Sequence, residues 1–571
     1  MNLYKFLSIG ALTFALGLSS CVGDLDLKPN DPNLVDTSAP DFNDNALAIC
    51  YSGLACSGIN GAESSYINIS GLDAGTSAYG RLMFYLSEFC SDELVWIWPD
   101  SGVSDITGCS WSSTNTLITG AYYRLLGHIA ICNQFLTNTA GNNSAQIQEM
   151  RAEARVLRAL SYYNMIDLFG QSSFITEEAE VGANPEQKSR KEVFDWIESE
   201  LLDIVDNRLI DTTPVLGRVG LDGAEGLLAR LYLNAEIFSG EERWADCLKR
   251  CDNIISRHQS GPLGNGLAEN YLYLFCKDNI QYLPGGSNSA QNEILFGIYF
   301  DSEMTQSYGG PSFLISSTMA NTHYLVPTAY GAGDPWMCIR GKLEMANRFP
   351  KDQVDDRDDL WLRGGTDVFP GGIDPYTGDE YKAEDYQDRF VGFTGDWLTT
   401  GGNDMIKFTN RTIGDGIDGW DYYKNADGTY TYGFESTKFS STAQPLIRLA
   451  DIYLMWAECY VNSNGTVGNS ADALKYVNYV RERAHATPFT VANLNIKDLM
   501  DERSRELYME SVRRTDLVRN SMFAGTGQTV WQCKGTYTNL DGTRIPAKYN
   551  LYPIPSAVIS AQPEFKQNPG Y

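Results

Sequence analysis

The sequence predicts a mainly α-helical scaffold carrying one large loop-rich region with short strands, and three observations lead there. Segments with a clear helical period stand on both sides of a long central stretch. Between residues 257 and 445 that period vanishes, and Gly, Pro, Asn, Asp and aromatic residues take over. A hydrophobic fraction of 43% with 12% aromatics in 571 residues is ample for a sizeable core. It is too apolar for a disordered acidic polymer.

At the N-terminus, Lys5 precedes an apolar run from Phe6 to Leu18 whose only hydroxyls are Ser8 and Thr13. The run is shorter than the ~20 residues that span a bilayer, so it reads as the core of a signal peptide. It ends in Leu18-Ser19-Ser20-Cys21, which resembles the bacterial lipobox: a branched apolar residue, two small residues that admit the peptidase, and a Cys whose thiolate takes the lipid. The expected segmentation is a signal peptide over 1–20, lipid attachment at Cys21 and a flexible stalk over 21–40. In the stalk Asp, Asn, Pro and Ser surround Pro29-Asn30-Asp31-Pro32.

Helical structure is expected over 41–256 and again over 446–520. From Met150 to Leu168 one stripe runs Met150, Ala154, Leu157, Ser161, Met165, Leu168, with Arg151, Arg155 and Arg158 on another face and Gly170 as a stop. Lys191 to Val205, with Val193, Phe194, Ile197, Leu201 and Ile204 inward, reads as a second helix. Gly223 to Phe238 and Trp244 to Ser256 follow, then Leu449 to Tyr460, Ala471 to Arg483 and Asp498 to Arg519. The alternation of helix, short turn and helix is similar to tetratricopeptide-like pairs, without a clean self-match at that repeat length. Within 257–445 only strand-like pieces such as Ile294 to Phe300 stand out. A stretch that long without regular structure signals function or insertion. Residues 521–571 close the chain as a terminal segment.

The formal net charge of −28 argues against nucleic acid as ligand, since phosphate binding needs a basic footprint. Besides Cys21, eleven cysteines are scattered along the chain, an odd number with no disulfide framework. Cys247 and Cys251 share a helix face, and with no His nearby they read as small buried residues. Catalysis finds no support. His128, His258, His323 and His485 are not spaced as metal ligands, and a nucleophile elbow is absent. Gly414-Asp415-Gly416-Ile417-Asp418-Gly419 fits a nucleotide loop by letter only, with two aspartates that would repel a pyrophosphate. Asp415, Asp418 and Asp421 are candidate ligands for a structural Ca2+, although their spacing departs from the EF-hand pattern. No other cofactor is expected. With 72 acidic residues, carboxylate pairs of the kind used in glycoside hydrolysis arise by accident.

Arg151 to Leu160, Tyr163, Asp167-Leu168-Phe169-Gly170, Gly217-Arg218 and Leu228 to Leu233 form one ordered set of motifs. Asn292 to Phe296, Asp356-Arg357, Arg448 to Glu458, Val480 to Ala484 and Glu502 to Glu510 continue it. Arg513-Arg514, Asp516-Leu517 and the ending Leu551 to Pro555 and Lys566 to Tyr571 complete it. In this order, over nearly the whole chain, the sequence resembles the SusD/RagB family of surface lipoproteins from Bacteroidetes nutrient-uptake systems. The resemblance implies a SusD-like helical scaffold with four tetratricopeptide-like helix pairs. It divides the body into an N-terminal part over 41–256 and a C-terminal RagB/SusD part over 257–571, the two forming one compact unit. It also implies an outer-membrane location with the body facing the cell exterior, and a SusC-like TonB-dependent transporter as partner, with this chain as its lid. The function implied is non-catalytic capture of a glycan. A peptide-binding member of the same family and a surface glycoside hydrolase are the alternatives. Glu510 with Arg513 and Arg514, and Asp516 with Arg519, read as structural helix-face and interhelix ion pairs.

For the ligand platform, the best local candidate is Glu93-Leu94-Val95-Trp96-Ile97-Trp98-Pro99-Asp100. Pro99 biases Trp98 toward extended backbone. In an extended stretch Trp96 and Trp98 share a side, where flat rings suit the apolar C–H faces of sugars. In the family, the corresponding segment of the starch-binding founding member carries aromatic residues of its binding arc. Arg81 and Asp73 are candidate hydrogen-bond partners for hydroxyls, and Tyr308 and Trp336 are candidates for the opposite wall.

Overall fold

The structure is a computed structural model and describes residues 42–180, 182–212, 217–281, 288–318, 333–336, 338–350, 353–362, 404–413 and 437–571. Cys21 and the candidate calcium ligands Asp415, Asp418 and Asp421 lie outside them. The chain divides into two units, Met1–Ala48, of which 42–48 are described, and Ile49–Tyr571. Apart from the first turns of one helix, everything discussed below belongs to the second.

The helices that build the scaffold are α1 (Phe42–Ala55), α2 (Tyr79–Phe84), α3 (Thr116–Asn138), α4 (Ala145–Phe169), α5 (Arg190–Asp206), α6 (Leu221–Leu233) and α7 (Trp244–Arg257), followed by α8 (Gly310–Thr318), α9 (Leu449–Asn462), α10 (Ser470–Arg483), α11 (Ile496–Leu507) and α12 (Arg513–Arg519). Successive helices lie against one another: α3 on α4, α4 on α5, α5 on α6, α6 on α7, α7 on α9, and α9 on both α10 and α11. Their starts carry the expected caps. Asn115 Oδ1 accepts from Leu117 N at 3.0 Å, and Ser189 with Glu192 forms a capping box at the head of α5. The inward stripes are those the periodicity marks: Val193, Phe194, Ile197, Leu201 and Ile204 of α5 are all buried.

Sheet structure among the described residues is confined to two-stranded antiparallel pieces. β1 (Leu94–Trp96) pairs with β5 (Ile339–Gly341), and β2 (Ser172–Phe174) with β3 (Glu186–Lys188). β4 (Ile294–Ile298) pairs with β8 (Gln444–Arg448), and β6 (Trp361–Leu362) with β7 (Asp404–Met405).

Two differences from the sequence reading stand out. Helix α3 is absent from that reading. One face is buried, but Gly120 and Gly127 together with apolar residues off that face, Leu126, Ala130 and Ile131, blur the period. The expected single helix from Asp498 to Arg519 is instead two, α11 and α12, joined through Met509 and Ser511 at φ +63° and +62°. Non-glycine residues in that region store strain, of order 1–3 kcal/mol each, which the surroundings must offset. Glu510, between the two, is thereby freed from the helix. It accepts from Arg448 Nη2 and Lys407 Nζ at 2.7 and 2.8 Å and does not pair along a helix with Arg513 or Arg514. Arg513 goes to Asp92 at 2.7 Å and Arg514 to Asp167 at 3.2 Å; the Asp516–Arg519 pair forms as expected, at 2.6 Å.

Arg448 also meets Glu293 at 2.6 Å and Glu506 at 2.9 Å, while Arg357 meets Glu502 at 2.9 Å and Glu506 at 3.0 Å. Arg483 bridges Glu293 and Glu506, and Arg481 reaches Glu502. This network is dehydrated and couples β4, β8, α10 and α11. No disulfide forms among the eleven described cysteines, and Cys247 and Cys251 are fully buried.

Candidate functional site

The segment after α2 turns through one π-helical turn, Tyr85–Phe89, into β1. Pairing with β5 places Trp96 opposite Ile339, and Ile97 N donates to Cys338 O at 2.8 Å. Trp98 lies beyond the last pair and is 36% exposed, whereas Trp96 is 1% exposed. The two rings still meet edge to face with centroids 6.0 Å apart. Trp96 Nε1 donates to Asp100 Oδ2 at 3.0 Å, which satisfies a buried donor at the rim.

From Trp96 the rings continue across the molecule. Phe313 of α8 stacks on Trp96 at 6.0 Å, Trp336 follows Phe313 at 6.4 Å, Tyr308 follows Trp336 at 6.0 Å, and Phe439 follows Tyr308 at 5.3 Å. Six aromatic rings from four distant segments thus form one row. Its middle, Trp96 and Phe313, is buried; Trp98 is exposed at one end, while Trp336, Tyr308 and Phe439 are half-buried toward the other.

Arg81 is the cation under this row. Its guanidinium carbon lies 4.6 Å from the Phe313 centroid and 5.5 Å from those of Tyr85 and Trp336. Nε and Nη2 donate to Tyr85 Oη at 3.1 and 2.9 Å, and Nη1 donates to Tyr308 O at 3.3 Å. Arg81 is 7% exposed, so it anchors the Tyr308 segment to α2. Gly75 permits the close approach, since a Cβ there would stand 2.7 Å from Tyr308 Cβ.

Asp73 sits at the exposed edge. Its oxygens accept from Thr76 N at 2.9 Å and Thr76 Oγ1 at 2.5 Å. Burial works to raise its carboxyl, but these bonds and the Arg81 charge outweigh it and hold Asp73 below the usual range. Asp100 goes the other way: burial pushes it up against the pull of Arg81 and the Trp96 N–H. Lys438 Nζ lies 4.9 Å from the Tyr308 centroid and supplies an exposed positive charge at the far end.

All six residues singled out from the sequence, Trp96, Trp98, Arg81, Asp73, Tyr308 and Trp336, meet in this one cluster. Sequence reasoning missed Phe313, Phe439, Lys438 and the rim role of Asp100. Asp100 lies at the end of the quoted tryptophan segment and was readable there, whereas nothing near Phe313 or Phe439 signals a ring in contact with residues so far away. Among the described residues no group of His, Cys, Asp and Glu is arranged to hold a metal ion. His128 is buried, its Nε2 donating to Cys50 O at 2.9 Å and its Nδ1 meeting Ser161 Oγ at 2.7 Å, and burial brings it down to about 4. His258 pairs with Asp222 and His485 with Asp356, neither of them among the residues of the aromatic row. Asp73 and Asp100 are both engaged by local donors.

A match to the SusD family spans residues 292–571. The starch-binding protein SusD of Bacteroides thetaiotaomicron is 30% identical over 97% of this chain and 96% of its own length. A SusD-like protein of Bacteroides ovatus is 24% identical over 72% of this chain and 64% of its own. Among solved structures, surface glycan-binding protein A from Bacteroides thetaiotaomicron has the same fold, with a TM-score of 0.65 at 17% identity over 93% of this chain and 99% of that one. A SusD superfamily protein from Parabacteroides distasonis gives 0.64 at 19% identity, over 92% and 99%. The full-length likeness to SusD, joined to a shared helical architecture, establishes that the chain belongs to the SusD family.

Proposed function

We propose that this chain is a non-catalytic, cell-surface glycan-binding lipoprotein that captures oligosaccharide or polysaccharide and passes it to a TonB-dependent outer-membrane transporter. The observation that carries the reading is the row of six rings. Its exposed and half-buried ends present flat apolar faces, with Asp73, Asp100 and Lys438 beside them to meet hydroxyls. The relatives support it: one carries the name starch-binding protein, and a surface glycan-binding protein with this fold, at a TM-score of 0.63, has been solved in complex with laminarihexaose. Trp98, Trp336 and Tyr308 are assigned as stacking surfaces, Asp73 as a hydroxyl partner, and Trp96 and Arg81 as their support. The lipid at Cys21 and the transporter interface complete the proposal. No helix among the described residues is long and apolar enough to cross a membrane.

The test is a binding screen with neutral glucans and, in parallel, peptides, with product analysis for hydrolysis. Trp98→Ala is expected to cost on the order of 2 kcal/mol of glucan affinity and to leave thermal stability nearly unchanged. Peptide binding without glycan binding, or release of cleaved sugar, would overturn the assignment.

A further inference from the structure

Behind the tryptophan strand, two carboxyl groups face each other where water does not reach. Glu88 lies in the π-helical turn that carries Tyr85 and Phe89, and Glu93 immediately precedes β1; they are 0% and 1% exposed. The turn between them is tight: Ser91 N donates to Glu88 O at 3.0 Å and Ser91 Oγ to the same oxygen at 2.6 Å. It brings the two side chains close enough for the charge of Glu93 to act on Glu88. Each uses one oxygen conventionally. Glu88 Oε1 accepts from Ser511 N at 2.7 Å, and Glu93 Oε1 accepts from Ser504 Oγ at 2.5 Å. Each Oε2 is buried without a donor. Two dehydrated acceptors side by side repel, and one proton between them satisfies both.

We propose that Glu88 and Glu93 share a single proton at neutral pH, and that this acid–carboxylate bridge is a positioning pair that keeps Trp96, and Trp98 beyond it, in the aromatic row. Trp96 lies against Tyr85 at 5.3 Å and Phe89 at 5.7 Å, rings of the same turn that carries Glu88. Two carboxylates would push that turn apart and shift the strand. The surrounding charges do not replace the proton. Arg513 stands 3.6 Å from Glu93 Oε1 but is engaged by Asp92 at 2.7 Å, and Arg348 is likewise bound to Asp92. Lys407 acts on Glu88 from β7's continuation but bonds Glu510 and the carbonyl oxygen of Tyr508, whose ring also neighbours Glu93. Burial pushes both Glu88 and Glu93 above their ordinary values, and the charge of Glu93 adds to the rise of Glu88.

The effect on capture rests on the glycan-binding reading; the bridge itself does not. A folded chain that keeps a proton the unfolded chain releases above about pH 4.3 loses stability as pH rises, its unfolding constant growing about tenfold per pH unit until the pair ionises. Glu88→Gln keeps the acceptor for Ser511 N and gives Glu93 a permanent donor. The full chain should show an infrared band of a protonated carboxyl group at neutral pH that Glu88→Gln lacks. The melting temperature of the wild type should fall relative to that of Glu88→Gln as pH is raised from about 6 to 9. Binding of laminarihexaose or soluble starch should weaken over the same range in the wild type alone. Absence of the band, or parallel pH profiles, overturns the bridge; if Glu88→Gln does not fold, Glu93→Gln and the wild-type band decide. A chain that shows the band but binds neither glucan at any pH keeps the bridge and counts against the glycan reading.

Discussion

Trp96 and Trp98 differ by two positions and by almost everything else. Trp96 is enclosed by Tyr85, Phe89, Phe313 and Trp98, and its indole N–H is satisfied by Asp100. Removing it leaves a large cavity and a carboxylate without its donor, so Trp96→Ala is expected to lose about 3–5 kcal/mol of folding stability. Thermal or urea unfolding checks this, and the contrast with Trp98→Ala separates support from display. The sequence said that both rings share a side, and they do touch. It could not say which is covered, because the covering strand, Ile339–Gly341, comes from a distant segment. Arg81 was equally half-legible. A lone Arg upstream of the tryptophans suggested a donor for a ligand, yet Tyr85 Oη and Tyr308 O engage its nitrogens first.

At the scale of elements, helices such as α5 and α7 were readable because polar residues fill the face toward solvent and the period survives there. They were unreadable where glycines and apolar residues off the buried face blur the period, as in α3, or where tertiary bonds override a helical pattern, as at Met509 to Ser511. That break serves the buried ion network, which sets a prediction. Burial alone would raise Glu502 and Glu506. Arg357, Arg505 and Arg481 around the first, and Arg483, Arg448 and Arg357 around the second, outweigh it and bring both down to about 2. A carboxylate lowered in the folded state stabilises above its unfolded value and loses that contribution as pH falls from about 4.5 toward 2. Each is worth on the order of 3 kcal/mol over that window. Acid titration by circular dichroism should therefore show unfolding below about pH 4. Glu506→Gln should flatten that loss while being about 3–5 kcal/mol less stable near neutrality, since it leaves Arg448 and Arg483 short of a partner.

For the whole molecule, the C-terminal residues are stitched back onto the scaffold rather than trailing from it. Asn568 Nδ2 donates to Phe169 O and Tyr552 O, both at 2.7 Å, and Trp111 Nε1 donates to Tyr571 Oη at 2.8 Å. The attachment to the cell is proposed at the other terminus. A body of net charge −28 is repelled by anionic lipid, so residence at a membrane depends on the anchor and on the partner. Cys21→Ala is expected to move the protein to the soluble fraction in cells lacking the transporter, as read by fractionation and immunoblot; continued membrane association would refute the lipid at Cys21.

The Arg81 contact to Tyr308 joins residues 227 positions apart, and the β1–β5 pairing spans a similar distance. Closing loops of that length carries an entropic cost that consecutive helices, neighbours in sequence, do not incur. During synthesis and export the first wall of the aromatic row emerges long before Tyr308, Trp336 and Phe439. On the proposed reading, a nascent or truncated chain therefore lacks one wall of the face that meets the glycan, and only a finished molecule presents the whole row.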